Sequence, residues 1–161
     1  MQPTPHEDID RYLAELSGAK QTLHESSVTA RAAWARDCLG GVCKAAGAWI
    51  EAACHDKGID LASPAIAEEI MNGPMATARS LRLIAQSLEN IHQYGAPMLP
   101  GKARQGPSGQ TIVPVFPTQG SMFDGFLFSG FRANVWLKPG VTLGDFEDQR
   151  KHDFQGPSGS P

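Results

Sequence analysis

Residues 76–97 read ATARSLRLIAQSLENIHQYGAP, and this stretch decides the fold class. Thr77, Leu81, Ile84, Leu88 and Ile91 recur by fours and threes, while Arg79, Arg82, Gln86, Glu89 and Gln93 occupy other faces, the pattern of an amphipathic helix. Gly95-Ala96-Pro97 then ends it. The composition changes at the same point: residues 1–94 hold 17 of the 20 alanines, and residues 95–161 hold all seven phenylalanines and 19 of the 29 Gly plus Pro. Helices therefore come first and strands with loops follow, which predicts an α+β chain.

Upstream, three more helices are predicted. Thr4-Pro5-His6-Glu7 reads as a capping box with Pro at the first helical position. Ile9, Tyr12, Leu13 and Leu16 follow at helical spacing, and Gly18 reads as the stop of a short helix. A second helix begins after Ser26 or Ser27 and runs to about Lys57, carried by Ala35, Leu39, Val42, Ala46, Trp49, Ile50 and Ala53. Gly40-Gly41 predicts a bend or break in it, since each glycine costs about 1 kcal/mol against Ala. Ser63-Pro64 opens a third, short helix with Glu68 and Glu69 in its early turns, ended by Asn72-Gly73-Pro74.

Downstream of Pro100 the period shortens towards two. Residues 101–116 predict a hairpin, KARQ and QTIVPVF around GPSG, and Pro114 places the second strand at a sheet edge. A further strand spans Phe131 to Leu137. Between them, GSMFDGFLFSGF reads as a packed loop in which Phe123, Phe126, Phe128 and Phe131 serve core or interface. The organisation expected is a helical region, 1–95, a hairpin, strand and aromatic-loop region packed on it, 96–150, and a flexible Gly/Ser/Pro-rich tail, 151–161.

With 161 residues, 19% charged residues and a net charge of −3, the chain has the size of one ordinary domain and no basic excess for phosphates. Nucleic acid and anionic membranes are disfavoured as partners. No apolar run reaches the length of a membrane span, and the acidic N-terminus is unlike a signal peptide, so the expected location is cytoplasmic.

Candidate chemistry is thin. Cys38, Cys43 and Cys54-His55 form the one cluster of metal-ligand residue types, but its spacing matches no zinc finger, and Cys38 and Cys43 fall about 140° apart on a helix. Buried small hydrophobes on an Ala-rich helix are the blander reading of these cysteines. Glu68-Glu69 could suggest paired acid and base, yet adjacent helical side chains diverge. The chain contains no GxGxxG, GxxxxGK[ST], GxSxG or HExxH. No catalytic, cofactor-binding or metal residue is assigned.

Five stretches in order carry a resemblance: WIEAACHDKGID at 49–60, GPMATARSLRLIAQSL at 73–88, LPGK at 99–102, VFP at 115–117 and GFRANVWLKPGVT at 130–142. Together they resemble the N-terminal portion of a bacterial branch of the aldehyde dehydrogenase superfamily. The resemblance implies a helical N-terminal region beside a nicotinamide-cofactor domain, with NAD(P) as cofactor of full-length relatives and a catalytic cysteine further on. In such relatives the cofactor domain opens just after the position of KHDFQGPSGSP, so this chain is expected to carry neither part, and Cys38, Cys43 and Cys54 match no family nucleophile. Gly40-Gly41 departs from the charged, strongly helical residues expected there. The implied function is a structural region without catalytic activity by itself, a truncated or split-enzyme product. A homo-oligomer or a separately encoded catalytic subunit is the implied partner. The alternatives are a non-catalytic binding or assembly module working through an exposed aromatic surface and, more weakly, a thiol-based metal or redox protein.

Overall fold

In the computed structural model, residues 4–118 and 122–152 are described. The fold is α+β: four N-terminal helices, then a small antiparallel sheet with two short helices. The chain divides into two compact units between Leu88 and Glu89, inside the fourth helix.

In the first unit, α1 spans His6–Glu25 and α2 spans Val28–Lys57. The capping box at Thr4 does not form, because Pro5, at ψ 143°, is itself the residue that precedes the helix, and this leaves Thr4 one position too far out. Gly18 does not stop α1 either. The helix continues through Ala19, Lys20 and Gln21, strong helix formers that offset one glycine, and ends where Ser26 turns to extended backbone. Arg31 of α2 secures this end: its guanidinium donates to the carbonyls of Leu23 (2.8 Å) and His24 (2.9 Å) and to Ser26 Oγ (2.9 Å). A cation on a helix C-terminus satisfies orphan carbonyls and complements the dipole.

At the start of α2, Ser27 Oγ accepts from Ala30 N at 3.1 Å, the N-cap bond that Ser supplies. Contrary to the expected break, α2 remains helical through Gly40-Gly41. Neither glycine faces a neighbour within 4 Å of a Cβ, so the pair costs propensity but marks no close approach. Gly58, at φ +66°, closes the helix: Ile59 N donates to Cys54 O (2.8 Å) and Gly58 N to His55 O (3.2 Å), a Schellman arrangement that needs the left-handed region.

The third helix, α3, covers Ile66–Ile70 and passes into a wide turn, Met71–Met75, with i→i+5 character and non-helical angles at Gly73. Pro74 lacks an N–H and sits buried there, so the expected stop is a kink and not a gap. The Trp49 indole lies over Gly73, its Nε1 3.6 Å from where a Cβ would stand. Lys57 Nζ donates to Glu69 Oε1 at 2.6 Å, which fastens the end of α2 to α3. After the kink, α4 runs Ala76–Tyr94 and ends on Gly95 at φ +76°. Its buried positions are Ala85 and Ile91, and Ile84 is exposed; Ile91 of the expected stripe is buried, and Ile84 departs from it.

The second unit holds β1 (Arg104–Gln105), β2 (Thr111–Phe116) and β3 (Ala133–Trp136), in the order β1-β2-β3, both pairs antiparallel. The predicted hairpin turn is present, with Gly106 N donating to Gln110 O and Gly109 at φ +79°. The strand with Pro114 is central, not an edge strand as expected. It tolerates the missing donor because β1 pairs only Ile112 and Thr111, two residues short of Pro114, and the ladder to β3 is irregular between Pro114 and Phe116. Ile112, Val113 and Thr111 form the buried part of the sheet.

Two helices appear inside the expected hairpin, strand and aromatic-loop region: α5, Met122–Leu127, and α6, Leu143–His152, which runs two residues into the expected tail. Phe128 meets Phe116 edge to face, with centroids 5.3 Å apart, which bears out a packing role for that ring. Phe126 and Phe131 are exposed and so outside the core, and the side chain of Phe123 lies outside the described part. Lys151 and His152 complete α6, and the rest of the Gly/Ser/Pro-rich tail, 153–161, lies outside the described residues.

Candidate functional site

The three cysteines share α2 but not one environment. Cys54 is fully buried, and Cys38 and Cys43 are exposed thiols; the small-hydrophobe reading thus fits Cys54 alone. His55 points outward, its Nδ1 3.5 Å from Asp56. Among the described residues no group of three or more His, Cys, Asp or Glu gathers to hold a metal ion.

Glu68 and Glu69 diverge as adjacent helical residues must: Glu68 is exposed, and Glu69 is buried against Lys57. The hydrogen bond to Glu69 holds the Lys57 ammonium above the ordinary lysine value, against an opposing contribution from desolvation. Since the folded pKa is the higher one, the stabilisation is complete below the ordinary lysine value and vanishes as pH rises through the folded pKa. Replacing Lys57 by Met should therefore lower the thermal midpoint at neutral pH, and the difference from wild type should shrink in strong alkali.

The second unit contains a cleft of about 620 Å³ between the segment after α4 and helix α6. Its apolar surface includes Met98, Leu99 and Leu143, and its charges come from Lys102, Glu147, Arg150 and Lys151. A capping box starts α6. Asp145 Oδ2 accepts from Thr142 N (3.0 Å) and Thr142 Oγ1 (2.7 Å), and Asp145 N donates back to Thr142 Oγ1 (3.1 Å). The Thr142 hydroxyl, then its N–H, hold the Asp145 carboxyl below its ordinary value. This contribution is present above the ordinary aspartate range and is lost as pH falls through the lowered pKa. Thermal melts of Asp145→Asn should accordingly differ from wild type at neutral pH and converge with it in strong acid.

At the other end of α6, Arg150 donates to Pro97 O (2.9 Å) and to Glu147 Oε2 (2.7 Å). Its Nε is buried without a partner among the described residues. The cleft can hold a small ligand with an anionic end by charge and apolar contact, but among its lining residues there is no cysteine or histidine to act as nucleophile or base.

The most exposed apolar features lie elsewhere. Helix α1 buries no residue, and its Ile9, Tyr12, Leu13, Leu16 and Leu23 all face solvent. In the second unit Met122 and Phe126 of α5 are 91% and 84% exposed, and β3 is exposed along its length. Arg31, Thr142, Asp145 and Arg150 were not singled out in the sequence. Thr142-x-x-Asp145 is the one signal that marks any of them.

Fold and site thus define a class: an α+β protein with an uncovered apolar helix, an exposed aromatic surface and a small cation-lined cleft. The chain matches no family model, no curated protein and no solved structure. Among the described residues no helix is long and apolar enough to cross a membrane.

Proposed function

We propose that this chain is the N-terminal structural region of an aldehyde dehydrogenase-like, NAD(P)-dependent oxidoreductase, a scaffold without catalytic activity by itself. One observation carries the reading: α1 is a 20-residue helix that buries none of its side chains. An amphipathic helix draws most of its stability from covering its apolar face, so its stripe calls for a neighbour. Exposed Phe126, Phe131 and Trp136 in the second unit make the same demand. A catalytic part, on another segment or a separately encoded subunit, is the neighbour that the five resembling stretches imply for the aromatic surface of the second unit.

Purified chain should neither reduce NAD(P)⁺ with an aldehyde nor oxidise NAD(P)H with an acyl-CoA. Adding the cofactor-and-catalytic portion of an aldehyde dehydrogenase of the resembled branch, prepared without its own N-terminal region, should raise that portion's activity. Turnover by this chain alone, or no gain on mixing, would overturn the proposal.

The exposed aromatic surface favours a second reading, a binding or assembly module with no enzyme behind it. Binding of a partner without any gain in oxidoreductase activity would select it. A thiol-based metal or redox role draws little support, since Cys54 is buried away from the exposed thiols of Cys38 and Cys43. Elemental analysis of the pure protein tests it.

A further inference from the structure

Because α1 continues past Gly18 to Glu25, its apolar residues form a longer pattern than its first turns show. Ile9, Leu16 and Leu23 stand seven residues apart, with Tyr12 and Ala19 three residues after the first two. These are the a and d positions of a heptad repeat, whose 3.5-residue spacing keeps one seam turned towards a partner helix. All five residues are exposed, from 40% at Ile9 to 69% at Leu16 among the large ones. Leu13 widens the seam at an e position.

We propose that α1 pairs with α1 of a second copy of this chain as a parallel, in-register, two-stranded coiled coil. The charges beside the seam choose both occupant and direction. Glu15 falls at g and Lys20 at the following e position, so a parallel copy brings each Glu15 beside the Lys20 of its mate, twice by the two-fold symmetry. An antiparallel copy sets g against g, which confronts Glu15 with Asp8 or with Glu15 of the other helix, according to register. Asp8 is already engaged by Arg11 of its own helix at 2.9 Å, which leaves Glu15 and Lys20 as the pair that selects the mate. Arg31 fixes the C-terminal end of α1, so little further ordering is needed on association. The seam has three a layers, and the dimer is therefore weak and reversible. The dimer covers the α1 stripe and leaves exposed Phe126, Phe131 and Trp136 of the second unit for the catalytic part of the proposed function; it stands whether or not the chain is kin to aldehyde dehydrogenases.

Sedimentation velocity of the full chain over a concentration series tests it. The expected result is a reversible shift from the mass of one chain, 17.2 kDa, to that of two. Leu16→Asp should weaken association by about a hundredfold or more, because a carboxylate replaces a leucine in the seam of both helices. Glu15→Lys should weaken it by about tenfold, and Glu15→Lys combined with Lys20→Glu should restore it. That rescue separates a specific seam from unspecific apolar sticking. Since α1 buries no residue, these variants keep the fold, which circular dichroism verifies. Direction is read by Ala19→Cys in a Cys38→Ser, Cys43→Ser background, which should form an inter-chain disulfide under mild oxidation. A monomer at every concentration, a dimer indifferent to Leu16→Asp, a charge swap without rescue, or failure of the Ala19→Cys cross-link would each overturn the proposal.

Discussion

Ile112→Ala should lower the unfolding free energy by about 2 to 5 kcal/mol, the cost of an apolar side chain lost from a packed site. Ile112 is 1% exposed and lies on the central strand, opposite Arg104 on one side and Trp136 on the other. It also packs tightly on the hairpin turn. A Cβ on Gly106 would stand 2.7 Å from Ile112 Cδ1, closer than carbon atoms tolerate, and a tight 3.3 Å from Cγ1. Gly106→Ala should therefore destabilise through overpacking, by about 1 to 3 kcal/mol. The two effects share one volume and must couple. Gly106→Ala with Ile112→Val should be less harmful than the sum of the single changes, because removing Cδ1 makes room for the new methyl. Urea unfolding of the four proteins checks this, and strict additivity would show that the contact does not hold the turn to the strand.

Legibility of the fold followed the strength of the apolar period. Helix α4 was readable from Leu81, Leu88 and Ile91 with Gly95 behind them, and the hairpin from the turn residues Pro107, Ser108 and Gly109. Helix α6 was not, since LGDFEDQRKH contains only Leu143 and Phe146 as large apolar residues, too few for any periodicity. Its one sequence signal is the capping pair Thr142 and Asp145, whose bonds the structure shows in full. Helix α5 was hidden by Gly125 and by phenylalanines that suit strand or loop as readily. At Gly18 and Gly40-Gly41 the sequence overstated local propensity: about 1 kcal/mol per glycine is outweighed by flanking helix formers and by the caps at Ser27 and Gly58. Pro114 misled, since its strand is the central one; β2 tolerates the proline because the short β1 stops two residues before it. The contacts that shape the cleft were beyond sequence reading. Arg150 reaches the carbonyl of Pro97 across 53 residues, and a side chain bonding to so distant a backbone group leaves no motif.

A second large effect is expected at the start of β2, where Thr111→Val should cost about 1 to 3 kcal/mol, the penalty of leaving a buried polar group without its partner. Thr111 is fully buried, and its Oγ1 donates to Val141 O at 2.8 Å. Its carbonyl accepts from Leu137 N at 2.9 Å, and neighbouring Gln110 donates through Nε2 to Leu137 O at 3.1 Å. The first turn of the central strand thus pins both ends of the connection 137–141, and the next residue, Thr142, caps α6. Val keeps the shape and the backbone bond and removes only the hydroxyl, so the loss reports that one bond. Thr111→Ser, which keeps the hydroxyl and loses a methyl, should restore the protection that Thr111→Val removes. Hydrogen exchange gives the more specific readout. With the hydroxyl gone, the amides of Val141, Thr142 and Asp145 should exchange faster, while those of Ile112 and Val113 should change less. If the strand amides loosened as much as the cap, Thr111 would be a residue of the sheet core alone, and the cleft beside α6 would owe its shape to the Arg150 contacts instead.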